Sequence, residues 1–126
     1  MAFDTDSNTI ARDETHDLIS SDKVEGTAVY NRQGEKLGTI TSFMVGKRNG
    51  RVQYAVLSFG GLFGMGEKFY PLPWDTLTYD TDKGGYMVDI DKDRMEGAPS
   101  YDRGNEPTYD RAYGQEVYAY YGVPHL

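Results

Sequence analysis

The chain has 126 residues, no cysteine and a formal net charge of −7. That length fits one domain with extensions, and the missing cysteines exclude disulfides and thiolate metal sites. An acidic chain without a basic stripe argues against nucleic-acid binding and against docking on an anionic membrane, since both depend on Lys and Arg facing phosphate.

The charge sits at the ends. Residues 1–20 carry five acids and one base, and residues 98–126 carry four acids and two bases, which leaves 21–97 at −1. The first twenty residues lack periodicity and read as an acidic arm, with Leu18-Ile19 available to anchor its end. They also lack the apolar segment of a secretory signal. No apolar run approaches the roughly 20 residues of a membrane span. The expectation is a cytoplasmic protein with no membrane insertion.

Gly26 to Tyr30 reads as a first strand, turned by Asn31-Arg32-Gln33-Gly34. Leu37 to Val45 is the second. Asn49-Gly50 signals a hairpin into the third, Arg51 to Phe59. That third strand has apolar residues on both parities, Val52, Tyr54 and Val56 against Ala55, Leu57 and Phe59. A strand of this kind is central and covered on both sides. Gly60 to Gly66 interrupts the pattern. Glu67 to Leu72, Trp74 to Tyr79 and Tyr86 to Ile90 follow as strands, with Asp80 to Gly85 as a turn cluster. Six short strands without intervening helices imply a small antiparallel barrel.

Asp91 to Glu96 is expected to make one helical turn, stopped by Gly97 and Pro99. The spacing predicts a helix from Pro107 to Tyr121, with Gly122 beyond its end. Its apolar stripe is read as Tyr109, Ala112, Tyr113, Val117, Tyr120 and Tyr121, and Gly114 counts against it by about 1 kcal/mol relative to Ala. Six of the eleven tyrosines fall in this tail, where a Tyr-Asp-Arg triplet occurs twice, at 101–103 and 109–111.

Several stretches together resemble the PRC-barrel domain, over Leu18 to Pro99. They are Ser21 to Tyr30, Gly34 to Gly38, Val52 to Gly61, Gly64 to Lys68, Pro71 to Trp74, Tyr79-Asp80 and Gly84 to Tyr86. The resemblance implies a small β-barrel used for assembly or protein contact, of the type named from the photosynthetic reaction-centre H subunit. It resembles a bacterial stand-alone member, without the H subunit's membrane helix and without the extra N-terminal domain of a related ribosome-maturation factor. It supplies no catalytic residues to carry over.

Residue chemistry offers little for catalysis or ligation. Gly61 and Gly66 have P-loop spacing, but Glu67 occupies the lysine position and a strand follows where a helix is required. Asp80, Asp82 and Asp91, and likewise Asp89, Asp91 and Asp93, fail the calcium-loop pattern and read as turn acids. His16 and His125 lie in separate extensions. Trp74 reads as filling for a small barrel. Leu62, Phe63 and Met65 crowd one glycine-hinged loop, which either closes a barrel end or contacts another subunit.

The sequence therefore predicts an all-β fold: an antiparallel PRC-type barrel of about six strands over 21–97, an acidic arm at 1–20, and an extension at 98–126 with a helix at 107–121. It predicts a non-enzymatic interaction or assembly module with no cofactor, self-associating as a homodimer. Leu62, Phe63, Met65, Tyr113, Tyr120 and Tyr121 are the interface candidates. The alternative is a small-ligand or ion-binding domain using the barrel mouth and the Gly60–Gly66 loop.

Overall fold

A computed structural model describes residues 18–60 and 67–125. The expected arm up to residue 17, and Leu62, Phe63 and Met65, lie outside the described residues. In chain order the elements are α1 (Ser21–Val24), β1 (Ala28–Tyr30), β2 (Lys36–Val45), β3 (Val52–Gly60), β4 (Glu67–Pro73), β5 (Leu77–Asp80), β6 (Gly85–Val88), α2 (Lys92–Glu96), β7 (Tyr101–Asp102) and α3 (Arg111–Tyr121).

The fold is mostly β, but the expected six-stranded antiparallel barrel is corrected. Among the described residues there are seven strands in one mixed sheet, ordered β5-β6-β1-β2-β3-β4-β7. The ladder does not close, because β5 and β7 stand at opposite ends of that order. The parallel contact is β1 with β6, pairing Val29 with Tyr86 and Tyr30 with Met87. Hairpin logic defaults to antiparallel neighbours, and no local signal marks a pairing more than fifty residues apart. The seventh strand comes from the tail: Tyr101 and Asp102 pair with Phe69 and Lys68.

The turns follow their side chains. The Asn31 carboxamide is buried, and its Oδ1 accepts from the N–H groups of Gln33 at 3.0 Å and Glu35 at 2.9 Å. Asn49 Oδ1 accepts from Arg51 N at 2.9 Å in the β2–β3 hairpin. Asp80 Oδ1 accepts from Asp82 N and Lys83 N, and Asp91 caps α2 by accepting from Arg94 N.

Two sequence boundaries move. β4 continues through Pro71 and Pro73, which pair with Val56 and Tyr54 of β3. Prolines fit there because β7 borders β4 only at residues 68 and 69, so no donor is needed on that edge. Residues 74–76 form a 3₁₀ turn rather than the start of a strand. Thr76 Oγ1 donates to Pro73 O at 2.7 Å and holds the turn.

The inner face of the sheet encloses the main core, built on Leu37, Ile40, Leu57, Leu72 and Met95, all essentially without exposure. Trp74 bridges this interior, meeting Phe43 of β2 edge-on at 5.8 Å and Tyr86 of β6 at 5.5 Å. It fills space, as its size led us to expect.

Candidate functional site: the outer face of β2, β3 and β4 and the tail on it

β3 is covered on both faces. Ala55 and Leu57 point into the main core, while Tyr54 belongs to a second cluster with Val117 and Tyr118 of α3. A strand this apolar on both parities needs two layers, and the tail supplies the second one.

α3 starts at Arg111 and not at Pro107. Asp110 is the N-cap, and its carboxylate accepts from Tyr113 N at 2.9 Å. That bond satisfies a helix-end donor, so the preceding residues stay extended. The two Tyr-Asp-Arg triplets thus do different work: the first forms β7 and the second opens a helix. Their tyrosines meet, with the Tyr101 and Tyr109 hydroxyls 2.9 Å apart. At the other end Gly122 takes a left-handed φ of 70° and closes the helix.

The buried stripe of α3 is Gly114, Val117 and Tyr118, with Tyr121 partly buried. This is the i, i+3, i+4, i+7 pattern of a packed helix face. Sequence reading instead included Ala112, which is exposed, and omitted Tyr118 and Gly114. Gly114 is present for close approach. A Cβ there would lie 2.6 Å from His125 Cε1 and 2.8 Å from the Tyr54 hydroxyl. The residue that weakens the helix is the one that lets it sit down on the sheet.

Polar handles fix the register. The Tyr118 hydroxyl donates to Gln53 O at 2.8 Å, and the Tyr54 ring meets Tyr118 edge-on at 5.6 Å and Tyr109 at 5.1 Å. At the C-terminal end of α3 the Tyr120 hydroxyl donates to Arg94 O at 2.6 Å. The Arg94 guanidinium returns a bond to Tyr120 O and lies 4.6 Å from that ring. Tyr121 donates to Met95 Sδ at 3.8 Å. The candidates Tyr113, Tyr120 and Tyr121 therefore all pack within their own chain. His125 closes the tail, its ring 4.6 Å from that of Tyr118.

Charge anchors the start of the tail. Lys68 Nζ lies 3.4 Å from Asp102, and Arg103 pairs with Glu67 while resting 5.0 Å from the Phe69 ring. Ser58 Oγ donates to Glu67 at 2.5 Å. That hydrogen bond, and then Arg103, hold the Glu67 carboxyl below its usual range. Burial raises the hydroxyl pKa values of Tyr109, Tyr113 and Tyr121 well above the ordinary tyrosine value.

Between tail and sheet runs a groove of about 440 Å³, lined among others by Thr41, Ser42, Val56, Phe69, Tyr101 and Tyr109. Its polar atoms are hydroxyls, Arg103 and Glu106, the last accepting from Gly104 N. The acids once weighed for calcium are dispersed into turn and cap roles or paired, as Asp89 is with Arg32 at 3.0 Å. Among the described residues no three His, Asp or Glu gather as metal ligands. No helix among them is long and apolar enough to cross a membrane.

Residues 16–95 match the PRC-barrel domain. The chain belongs to the PRC-barrel domain family. The match takes in α1 and β1 to β6 and ends within α2, so β7 and α3 lie beyond it. A protein of Deinococcus radiodurans, described as uncharacterized, is 28% identical over 92 residues. That alignment spans 73% of this chain and 30% of the relative.

Proposed function

We propose that this PRC domain is a non-enzymatic interaction module whose working surface is the outer face of β2, β3 and β4, and that it self-associates. One observation carries the interaction reading, while self-association is the expectation brought from the sequence. The face is already engaged in recognising a peptide segment, namely the chain's own tail, through an aromatic pocket around Tyr54 and a hydroxyl bond to the Gln53 carbonyl. An amphipathic helix laid on an apolar face is a recurring mode of protein recognition. The family implies assembly or contact, and the PRC domain lends this chain a face on which to make it.

The test is the solution mass of the full chain by light scattering over a range of micromolar concentrations. The expected result is a monomer–dimer equilibrium. A mass fixed at one chain throughout sinks the self-association. The 440 Å³ groove favours a second reading, a small-ligand site on the same face. A melting temperature that rises with one class of small molecule would support that reading.

A further inference from the structure

Acids and bases are unevenly spread along the chain. Residues 36–66 hold four bases, Lys36, Lys47, Arg48 and Arg51, and no acid. Elsewhere nine bases face all twenty acids. Three of the four bases fall within five positions, at the turn joining β2 to β3, and all three are exposed. Other cations are committed: Arg32 to Asp89, Lys68 to Asp102, Arg103 to Glu67 and Arg94 to Tyr120. Among the described residues Lys47, Arg48 and Arg51 make no ion pair.

The turn presents them on a fixed frame. Gly46 N donates to Arg51 O at 2.8 Å, Gly50 N to Gly46 O at 2.9 Å, and Arg51 N to Asn49 Oδ1 at 2.9 Å. A tip bonded in this way loses little freedom when a partner binds. Val45, two positions before Lys47, is one of the two large apolar side chains exposed among the described residues. A partner covering the tip therefore gains apolar burial together with charge.

We infer that the β2–β3 turn is a docking surface for a short acidic segment of a partner protein, whose carboxylates face Lys47, Arg48 and Arg51. The turn continues two of the strands that carry the proposed working face, and the inference rests on that interaction reading while naming the chemistry of the partner. Arginine suits carboxylate, which it can hold through two parallel N–H bonds. Range decides against other polyanions. At physiological salt, charges are screened beyond about 8 Å. A short acidic run confined to the tip feels the three cations. Nucleic acid carries its phosphates past the tip, over a chain whose remaining acids outnumber its bases. Anionic membranes attract clusters of about four to eight bases, more than the tip holds. The chain's own first residues fit poorly too. Their five acids are spread from Asp4 to Asp17 with Arg12 among them, whereas the tip calls for a compact run.

The test is fluorescence anisotropy with a labelled peptide holding four consecutive glutamates, added to the full chain. The expected result is binding that weakens as salt rises and falls by about tenfold in a chain carrying Lys47→Gln and Arg48→Gln. A second variant, Lys92→Gln with Arg111→Gln, removes the same charge from α2 and α3 and is expected to bind as the native chain does. All four side chains are exposed, so the melting temperatures are expected to stay together. No binding to the native chain, or equal weakening by the two variants, overturns the inference. A single-stranded oligothymidylate or a phosphatidylserine vesicle that binds more tightly than the peptide gives the tip to another class of polyanion and overturns it too. So does a chain lacking residues 1–17 that binds the peptide about tenfold more tightly, since the arm is then the occupant of the tip. Solution mass is read on the same samples. Self-association that persists where the peptide fails leaves the interaction reading standing, and a fixed monomer that binds the peptide overturns the self-association alone.

Discussion

The two faces of β3 are built from different materials. Inward, Ala55 and Leu57 are fully enclosed in a core of aliphatic side chains, Met95 and the rings of Tyr70 and Tyr86. Outward, Tyr54 meets Tyr109 and Tyr118, carried on a single helix and its linker, while Val56 lines the groove beside them. The inner face is held by apolar area and shape, which are non-directional. Both faces carry edge-on rings; the outer one adds the Tyr118 hydroxyl bond to the Gln53 carbonyl, which specifies one register. The contrast separates what makes the domain fold from what lets it recognise a segment. It follows that the two layers should respond to different perturbations.

The largest separation is expected from Leu57→Ala. Leu57 is 0% exposed at the centre of the inner core, and truncating such a leucine costs about 2–5 kcal/mol through lost burial and the cavity left behind. Denaturant unfolding should show the loss as a single cooperative transition of the whole domain. A loss under about 0.5 kcal/mol would contradict the central placement of β3.

Next in size is alkali, which should act first on the outer layer: burial also raises the Tyr70 hydroxyl pKa in the inner core, but the large shifts fall on the tail. Burial raises the hydroxyl pKa values of Tyr109, Tyr113 and Tyr121 above the ordinary value of 10.0. The packed tail therefore holds neutral phenols, while a released tail ionises at the ordinary value. Their contribution is complete below pH 10.0 and is lost as pH rises through the higher folded-state values. Tyrosinate absorbance and hydrogen exchange along one titration should show α3 losing protection above pH 10.0 before the inner strands do. Release of α3 below that pH, or loss of both layers in one step, would dissolve the distinction.

How far the sequence revealed this contrast depends on range. The two apolar parities of β3 were legible, and with them the need for a second layer. A helix over 107–121 was expected too, but its packed face was misread, because that stripe, Gly114, Val117, Tyr118 and Tyr121, includes a helix breaker. Gly114 argues against a helix locally and is explained only by Tyr54 and His125 pressing on it from elsewhere in the chain. Asn31, Asn49, Asp80 and Asp91 were legible as turn and cap residues, because their bonds reach only a few residues along the chain. The β1–β6 pairing and the two-residue β7 were not, since short strands carry almost no periodicity and their partners are remote.

The finest division falls within the outer layer itself, between two tyrosines five positions apart. The Tyr118 hydroxyl donates to the Gln53 carbonyl. The Tyr113 hydroxyl is buried with no hydrogen-bond partner among the described residues. Removing a satisfied hydroxyl loses the bond and strands its acceptor, whereas removing an unsatisfied one relieves a desolvated dipole. Tyr118→Phe should therefore cost about 0.5–1.5 kcal/mol of tail docking, and Tyr113→Phe should be neutral or stabilising. Both changes keep the ring, so the edge-on contacts with Tyr54 and Tyr109 survive. Hydrogen exchange across 111–121 reads each effect directly. Equal losses from the two variants would mean that the layer is held by rings alone, and the Gln53 carbonyl would then have no part in setting the register of the tail.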